Sequence, residues 1–275
     1  MIKDLLVNLS TGTKYHAASA YAVSFAEAFE AHVTAIAFGY EPVVAVSVMG
    51  GMTSGFTDVQ RAEAEQAANA ARERFDTAAR LAGIASDSHV YSTSVAGAAD
   101  YFGSMARRFD LSIVMQGETD NAAAEDLIME AALFQSGRPT IIVPYVHASG
   151  FKADRVMVCW DGGRTAARAI GDALPLLARA SHVDVVMVLG KEDKRDEIHG
   201  ADMGQHLARR GLAVEVRRIV ADGDVQSTLL SYAADSSADM IVMGGYGHSR
   251  LREFILGGVT RKMLSAMTIP CFMSH

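Results

Sequence analysis

The sequence predicts an α/β protein made of two tandem doubly wound domains, each a five-stranded, mainly parallel sheet in the order 3-2-1-4-5 with helices on both faces. Three observations carry this expectation. Short apolar runs alternate with amphipathic helical stretches, the pattern of parallel strands joined by right-handed helical crossovers. Three segments of the first half recur in the same order in the second, which marks a duplication. The chain has 275 residues, half of them hydrophobic, enough for two cores.

The first strand runs into Leu9-Ser10-Thr11-Gly12-Thr13, and the second, Ala31 to Gly39, has its counterpart in Ser181 to Gly190. Between Glu41 and Thr57 the chain is rich in glycine and serine and reads as a surface loop, with a lid as the alternative, before an alanine-rich helix from Asp58 to Leu81. Ile113-Val114-Met115-Gln116-Gly117 parallels Ile241-Val242-Met243-Gly244-Gly245. Arg138-Pro139-Thr140-Ile141-Ile142-Val143 parallels Ile269-Pro270-Cys271-Phe272-Met273.

In the second half, strands are expected at Arg155 to Trp160, Val183 to Leu189, Val214 to Val220, Met240 to Met243 and Cys271 to Met273. Helices are expected at Thr165 to Ala180, Asp193 to Arg210, Val225 to Ser236 and Gly258 to Ala266. A short linker within Tyr145 to Asp154 gives domains at residues 1–147 and 153–275.

A formal charge of −7 and a pI near 5.7 oppose general attraction to nucleic acid or anionic membranes. The N-terminus lacks the basic start and apolar core of a secretory signal, and no segment reads as a membrane span, so a cytoplasmic location is expected. Cys159 and Cys271 are too few for a disulfide framework and lack zinc-type spacing; buried structural thiols are expected.

The most informative stretch is Met240 to Thr260, where an apolar strand opens into Gly244-Gly245-Tyr246-Gly247 and, ten residues later, Gly257-Gly258-Val259-Thr260. Glycines at a strand-to-helix junction let a phosphate approach backbone donors at a helix N-terminus. No Gly-Lys-Ser or Gly-Lys-Thr follows either first strand, which opposes a P-loop enzyme. The glycines follow a fourth strand rather than a first, which opposes a dinucleotide fold of the nicotinamide type. In a 3-2-1-4-5 sheet the ends of the first and fourth strands flank the crevice, so Asp161 and Gly244 should be neighbours.

The spacing of Gly244, Gly247 and Gly257, with Asp161 at the end of a first strand, resembles the universal stress protein family. In that family's nucleotide-binding pattern a glycine, two residues, a glycine, nine residues and a glycine followed by serine or threonine join the fourth strand to the last helix. With two copies, the chain resembles a tandem member. The resemblance implies a stress-response regulatory protein binding an adenine nucleotide in the C-terminal domain: ATP, with ADP or AMP as alternatives and room for Mg²⁺. The implied contacts are Asp161, Gly190, Met243, Gly244, Gly247, Gly257, Gly258, Val259 and Thr260.

The chain departs from that pattern at Gly258, which stands where nucleotide-binding members carry a hydroxyl. Backbone N–H groups of Gly258, Val259 and Thr260 can still donate to a phosphate. His248, Arg250, Arg252, Arg261 and Lys262 lie close by and are weighed as supplementary cations or as solvated charges. Without a readable general base or Mg²⁺ ligand set, binding is expected rather than turnover, with slow ATP hydrolysis left open.

The first copy lacks the motif: Asn8 or Ser10 stands at the Asp161 position, and Gln116-Gly117-Glu118-Thr119-Asp120 replaces the glycines. A structural role without ATP is expected of it. Each half ends in a short apolar strand that forms a sheet edge, and in the family such strands pair. The expected partners are an adenine nucleotide, the other half in an intramolecular pseudo-dimer, and a second copy in a homodimer, but neither nucleic acid nor membrane. The alternatives are a nucleotide-free interaction module, a weak ATPase and a nucleotide-dependent transferase.

Overall fold

The computed structural model describes residues 1–12, 16–41, 54–117, 122–189, 199–221, 223–245 and 258–275. The chain divides into two compact units: Ile2–Arg138 with Ala148–Phe151, and Pro139–His147 with Lys152–His275 and Met1.

The first unit runs β1 (Asp4–Leu9), α1 (Ala17–Phe29), β2 (His32–Tyr40), α2 (Ser54–Ala82), β3 (Ser86–Thr93), α3 (Val95–Ala106), β4 (Leu111–Met115) and α4 (Ala122–Gln135). Its strands are parallel in the order β3-β2-β1-β4. Leu5, Leu6 and Val7 are all fully buried, as a central strand covered on both faces requires. The outer strand β3 instead alternates between half-buried and exposed residues over much of its length. The helix expected from Asp58 starts at Ser54, so the last four residues of the expected loop are helical. Once a helix is nucleated, each added residue costs little; the rest of that loop, residues 42–53, lies outside the described residues.

Phe151 is built into this unit. Its ring lies 4.6 Å from that of Phe25 and 5.7 Å from that of Phe29, and its backbone N–H donates to Ser24 Oγ at 2.6 Å. An aromatic anchor with a satisfied amide holds the segment in place.

The second unit runs β5 (Thr140–Val143), β6 (Arg155–Cys159), α5 (Arg164–Leu177), β7 (His182–Leu189), α6 (His199–Ala208), β8 (Val214–Val220), α7 (Val225–Asp235), β9 (Met240–Gly244), α8 (Gly258–Ala266) and β10 (Cys271–Ser274). The strand order is β5-β10-β9-β6-β7-β8. Taken from β6 onward, the five parallel strands follow the 3-2-1-4-5 order of a doubly wound sheet. β5 adds a sixth strand, antiparallel to β10, with Ile142 opposite Cys271 and Thr140 opposite Met273. Helix α5 ends three residues before its expected limit because its final turn tightens: Arg179 and Ala180 donate to Leu176 and Leu177.

The two units share a device that the repeat segments do not reveal. The aspartate before each fourth strand folds onto the start of the first. Asp110 Oδ2 accepts from the backbone N–H groups of Lys3 and Asp4 at 2.8 and 3.2 Å, and the Asp110 N–H donates to Asp4 O. Asp239 Oδ2 accepts from the Arg155 N–H at 2.9 Å, and the Asp239 N–H donates to Arg155 O. Each carboxylate thereby satisfies strand-terminal donors and fixes the register between first and fourth strands.

Replacing either aspartate by alanine should lower stability by about 1–2 kcal/mol, the cost of leaving a charge-assisted bond to backbone unmade. Urea unfolding of Asp110→Ala and Asp239→Ala checks this, and an unchanged midpoint in both would remove the strand cap from the account.

Candidate functional site

The candidate site of the second unit lies where the strand order reverses, at the C-terminal ends of β6 and β9. After β6, Trp160 still donates its N–H to Val186 O at 2.9 Å, and the chain then turns sharply. Gly162 has φ +74°, a left-handed conformation costly for other residues, and Gly163 returns to an extended conformation ahead of α5. Asp161 Oδ1 accepts from the Gly163 N–H at 2.7 Å, closing the turn. Asp161 is exposed, and among the described residues its other oxygen has no hydrogen bond.

β9 meets this turn backbone to backbone. A Cβ on Gly244 would lie 2.5 Å from Ala166 N, 2.6 Å from Thr165 C and 2.7 Å from Thr165 Oγ1. No side chain fits, so glycine lets the end of β9 press against the first turn of α5. The Gly244 end of β9 is thereby brought up to the turn that carries Asp161. Thr165 and Ala166, the contacts that exclude a Cβ, carry no motif that would single them out in the sequence.

On the far side of β9, the Gly245 N–H donates to Ser274 O at 2.8 Å, and Ser274 Oγ donates to Asp172 Oδ2 at 2.8 Å. Met243 is buried. The backbone of Gly258 begins α8, in which Thr260 is buried and Val259 exposed. Arg261 is exposed, whereas Lys262 Nζ sits 3.4 Å from Asp224 Oδ1 at the start of α7. Gly190, Gly247, Gly257, His248, Arg250 and Arg252 lie outside the described residues.

Both cysteines are free thiols, Cys271 fully buried and Cys159 beside the turn. Burial pushes the Cys159 thiol up to about 12, with the Asp161 charge adding to it, and pushes Cys271 well above the ordinary value. At neutral pH both are protonated, poorly nucleophilic filling for the sheet.

The matching crevice of the first unit is built differently. A cavity of about 10 Å³, room for about one water, lies between the ends of β1 and β4, lined by Leu9, Ser10, His16, Ala71, Arg74 and Met115. Burial lowers the His16 pKa, and the nearby Arg74 charge lowers it further. Ser10 Oγ donates to Glu125 Oε1 at 3.5 Å. Burial pushes the Glu125 carboxyl up, against the Ser10 bond and its own backbone amide, while Tyr40 is raised by burial and by the Glu125 charge. A carboxyl group thus stands in the first turn of α4, at the junction that the glycine loop occupies in the second unit.

These features define a doubly wound α/β protein with its candidate crevice at the switch point of the sheet. Residues 152–275 match the Universal stress protein family. A universal stress protein of Synechocystis sp. is 27% identical over 172 residues, 59% of this chain and 56% of the relative, so the match spans about half the length of that protein. Among solved structures, a universal stress protein from Archaeoglobus fulgidus aligns with TM-score 0.68 at 16% identity, covering 98% of this chain and 95% of its own. A functionally unknown protein from Pseudomonas aeruginosa aligns with TM-score 0.62 at 12% identity, covering 99% and 92%. Both structural likenesses are of fold. Among the described residues no helix is long and apolar enough to cross a membrane.

Two outcomes are expected. Gly244→Ala forces β9 and α5 apart and should cost about 1–3 kcal/mol, read as a lower urea midpoint; wild-type stability would show that the contact yields. The raised Glu125 carboxyl favours its neutral form in the fold, so its contribution is full below about pH 4.5 and is lost as pH rises through the folded value. Glu125→Gln should therefore raise the unfolding midpoint at pH 7 and leave it unchanged at pH 4, and a gain of equal size at both would exclude the carboxyl's ionisation as its cause.

Proposed function

We propose that this protein binds an adenine nucleotide, ATP in the first instance, in the crevice of residues 152–275 and acts as a stress-linked regulator rather than as a catalyst. The observation that carries the reading is the close approach at Gly244, which sets the end of the fourth strand of that unit against the turn holding Asp161. A crevice at the switch point of a doubly wound sheet is where such folds take ligands. Asp161 offers a carboxylate oxygen to ribose hydroxyls or an adenine amine, and the start of α8 offers backbone N–H groups to phosphates. The match of the same residues to the Universal stress protein family supports the stress-response role.

The first unit serves as the structural member of a tandem pair in this reading. The cavity between the ends of β1 and β4 has room for about one water, and the Glu125 carboxyl, 3.5 Å from the Ser10 hydroxyl that lines it, repels a polyphosphate when ionised.

A nucleotide-free interaction module has an observation in its favour as well. The Asp161 turn and the fit at Gly244 account for both residues on structural grounds alone.

Calorimetry with ATP, ADP and AMP separates the two readings. Wild type should bind at least one of them, and Asp161→Ala and Gly247→Val should each weaken binding by tenfold or more, about 1.4 kcal/mol. No heat from the wild type would favour the interaction module, and undiminished binding by both variants would put the site elsewhere.

A further inference from the structure

Two basic side chains of the first unit converge on one cavity with no acid to balance them. His16, just ahead of α1, and Arg74, on α2, both line the cavity of about 10 Å³ at the end of β1. Among the described residues neither the imidazole nor the guanidinium has a hydrogen bond or an ion pair, and no carboxylate lines the space between them. Burial lowers the His16 pKa and the Arg74 charge lowers it further, so the two groups repel each other when both are charged.

The start of α1 points the same way. Ala18 and Ser19 of its first turn, whose N–H groups have no acceptor within the helix, also line the cavity, and the turn has neither an acidic residue nor a side-chain cap. The second unit shows what such a position takes. Asp4 pairs with His32 as Arg155 pairs with His182, so Ser10 corresponds to Asp161, whose carboxylate accepts from the Gly163 N–H at the entry to α5. In the first unit a serine stands there, and its hydroxyl donates to Glu125 on α4. The place of the built-in carboxylate is open to an anion from solution.

We propose that the cavity between His16, Arg74 and the start of α1 is a binding site for a single phosphate group, free or as a monoester. One phosphate oxygen matches the room for about one water, and the others are left to the Arg74 guanidinium, whose planar fork suits two of them. Glu125 is the opposing charge; it reaches the cavity only through Ser10, and burial favours its neutral form. A polyphosphate brings more atoms and more charge than this space admits. The first unit therefore keeps its structural role toward ATP, and the site stands whether or not the second unit binds a nucleotide.

NMR of the full chain tests this at one residue. The His16 imidazole signal, identified by its loss in His16→Gln, is followed through pH without added anion, with millimolar inorganic phosphate, and with millimolar phenyl phosphate as a monoester. An anion beside the imidazole favours its charged form, so inorganic phosphate should raise the midpoint of the His16 titration by about one pH unit, a tenfold coupling. That rise should fall severalfold in Arg74→Gln and persist in Arg80→Gln, which removes the same charge from the same helix outside the cavity. Both arginines are exposed, so both variants should fold, and circular dichroism checks that they do. A rise with phenyl phosphate as well extends the site to monoesters; a rise with inorganic phosphate alone makes it a free-ion site. No rise with either would overturn the proposal. So would an undiminished rise in Arg74→Gln, or an equal loss in Arg80→Gln, which would reduce the effect to general charge.

Discussion

Backbone packed directly on backbone at Gly244 is the constraint from which the second unit's crevice follows. With a Cβ position 2.5 Å from Ala166 N, the end of β9 and the first turn of α5 have room for no side chain between them. This contact sets how far the sheet opens at its switch point, and so how close the Asp161 turn lies to the fourth strand. The left-handed Gly162 and the Asp161–Gly163 bond then shape the turn within that limit. A glycine valued for exposing backbone to a phosphate is thus also the residue that lets two elements meet, and one substitution would disturb both roles.

The two units show the same scaffold under different demands. Both fix the first strand to the fourth through an aspartate on backbone amides, Asp110 in one and Asp239 in the other. Both bury a central strand on two faces and leave an outer strand half exposed. They diverge at the C-terminal ends of their strands. There the second unit has glycines and an Asp161 oxygen with no hydrogen bond among the described residues, and the first has a cavity with room for about one water and, on Ser10, a Glu125 carboxyl that burial favours as neutral. Scaffold and site have evidently been free to change apart.

How much of this was readable in the sequence depends on the range of the interaction. The strand order and the helical crossovers follow from local apolar runs and helical periodicity, so the doubly wound layout was legible throughout. Helix α2 was misread at its start because Ser54-Gly55 looks like loop, whereas helix already formed downstream extends through such residues at small cost. At the site, the sequence marked Asp161 and Gly244 as special without showing which groups hold them. The Gly163 N–H that holds Asp161, and the Thr165–Ala166 backbone that excludes a Cβ, depend on a turn and a crossing that only the folded chain displays. Asp172 and Ser274 were invisible for the same reason: 102 positions separate them, and neither sits in a motif. A mismatch within the repeat, serine against valine at the end of an apolar strand, was the one available signal.

The antiparallel pairing of β5 with β10 also has a consequence in time. The chain at Ile142 leaves the ribosome about 130 residues ahead of its partner Cys271, which at typical synthesis rates is roughly 10 s. Throughout that interval β5, a run of four buried residues in the finished protein, has no β10 to accept it. The first unit can complete its four strands while translation continues, but the second waits for the final residues of its sheet. The antiparallel join, with the pairing of β10 to β9, is therefore the last available to the nascent chain, and until it forms an apolar edge stays open to other chains and to chaperones.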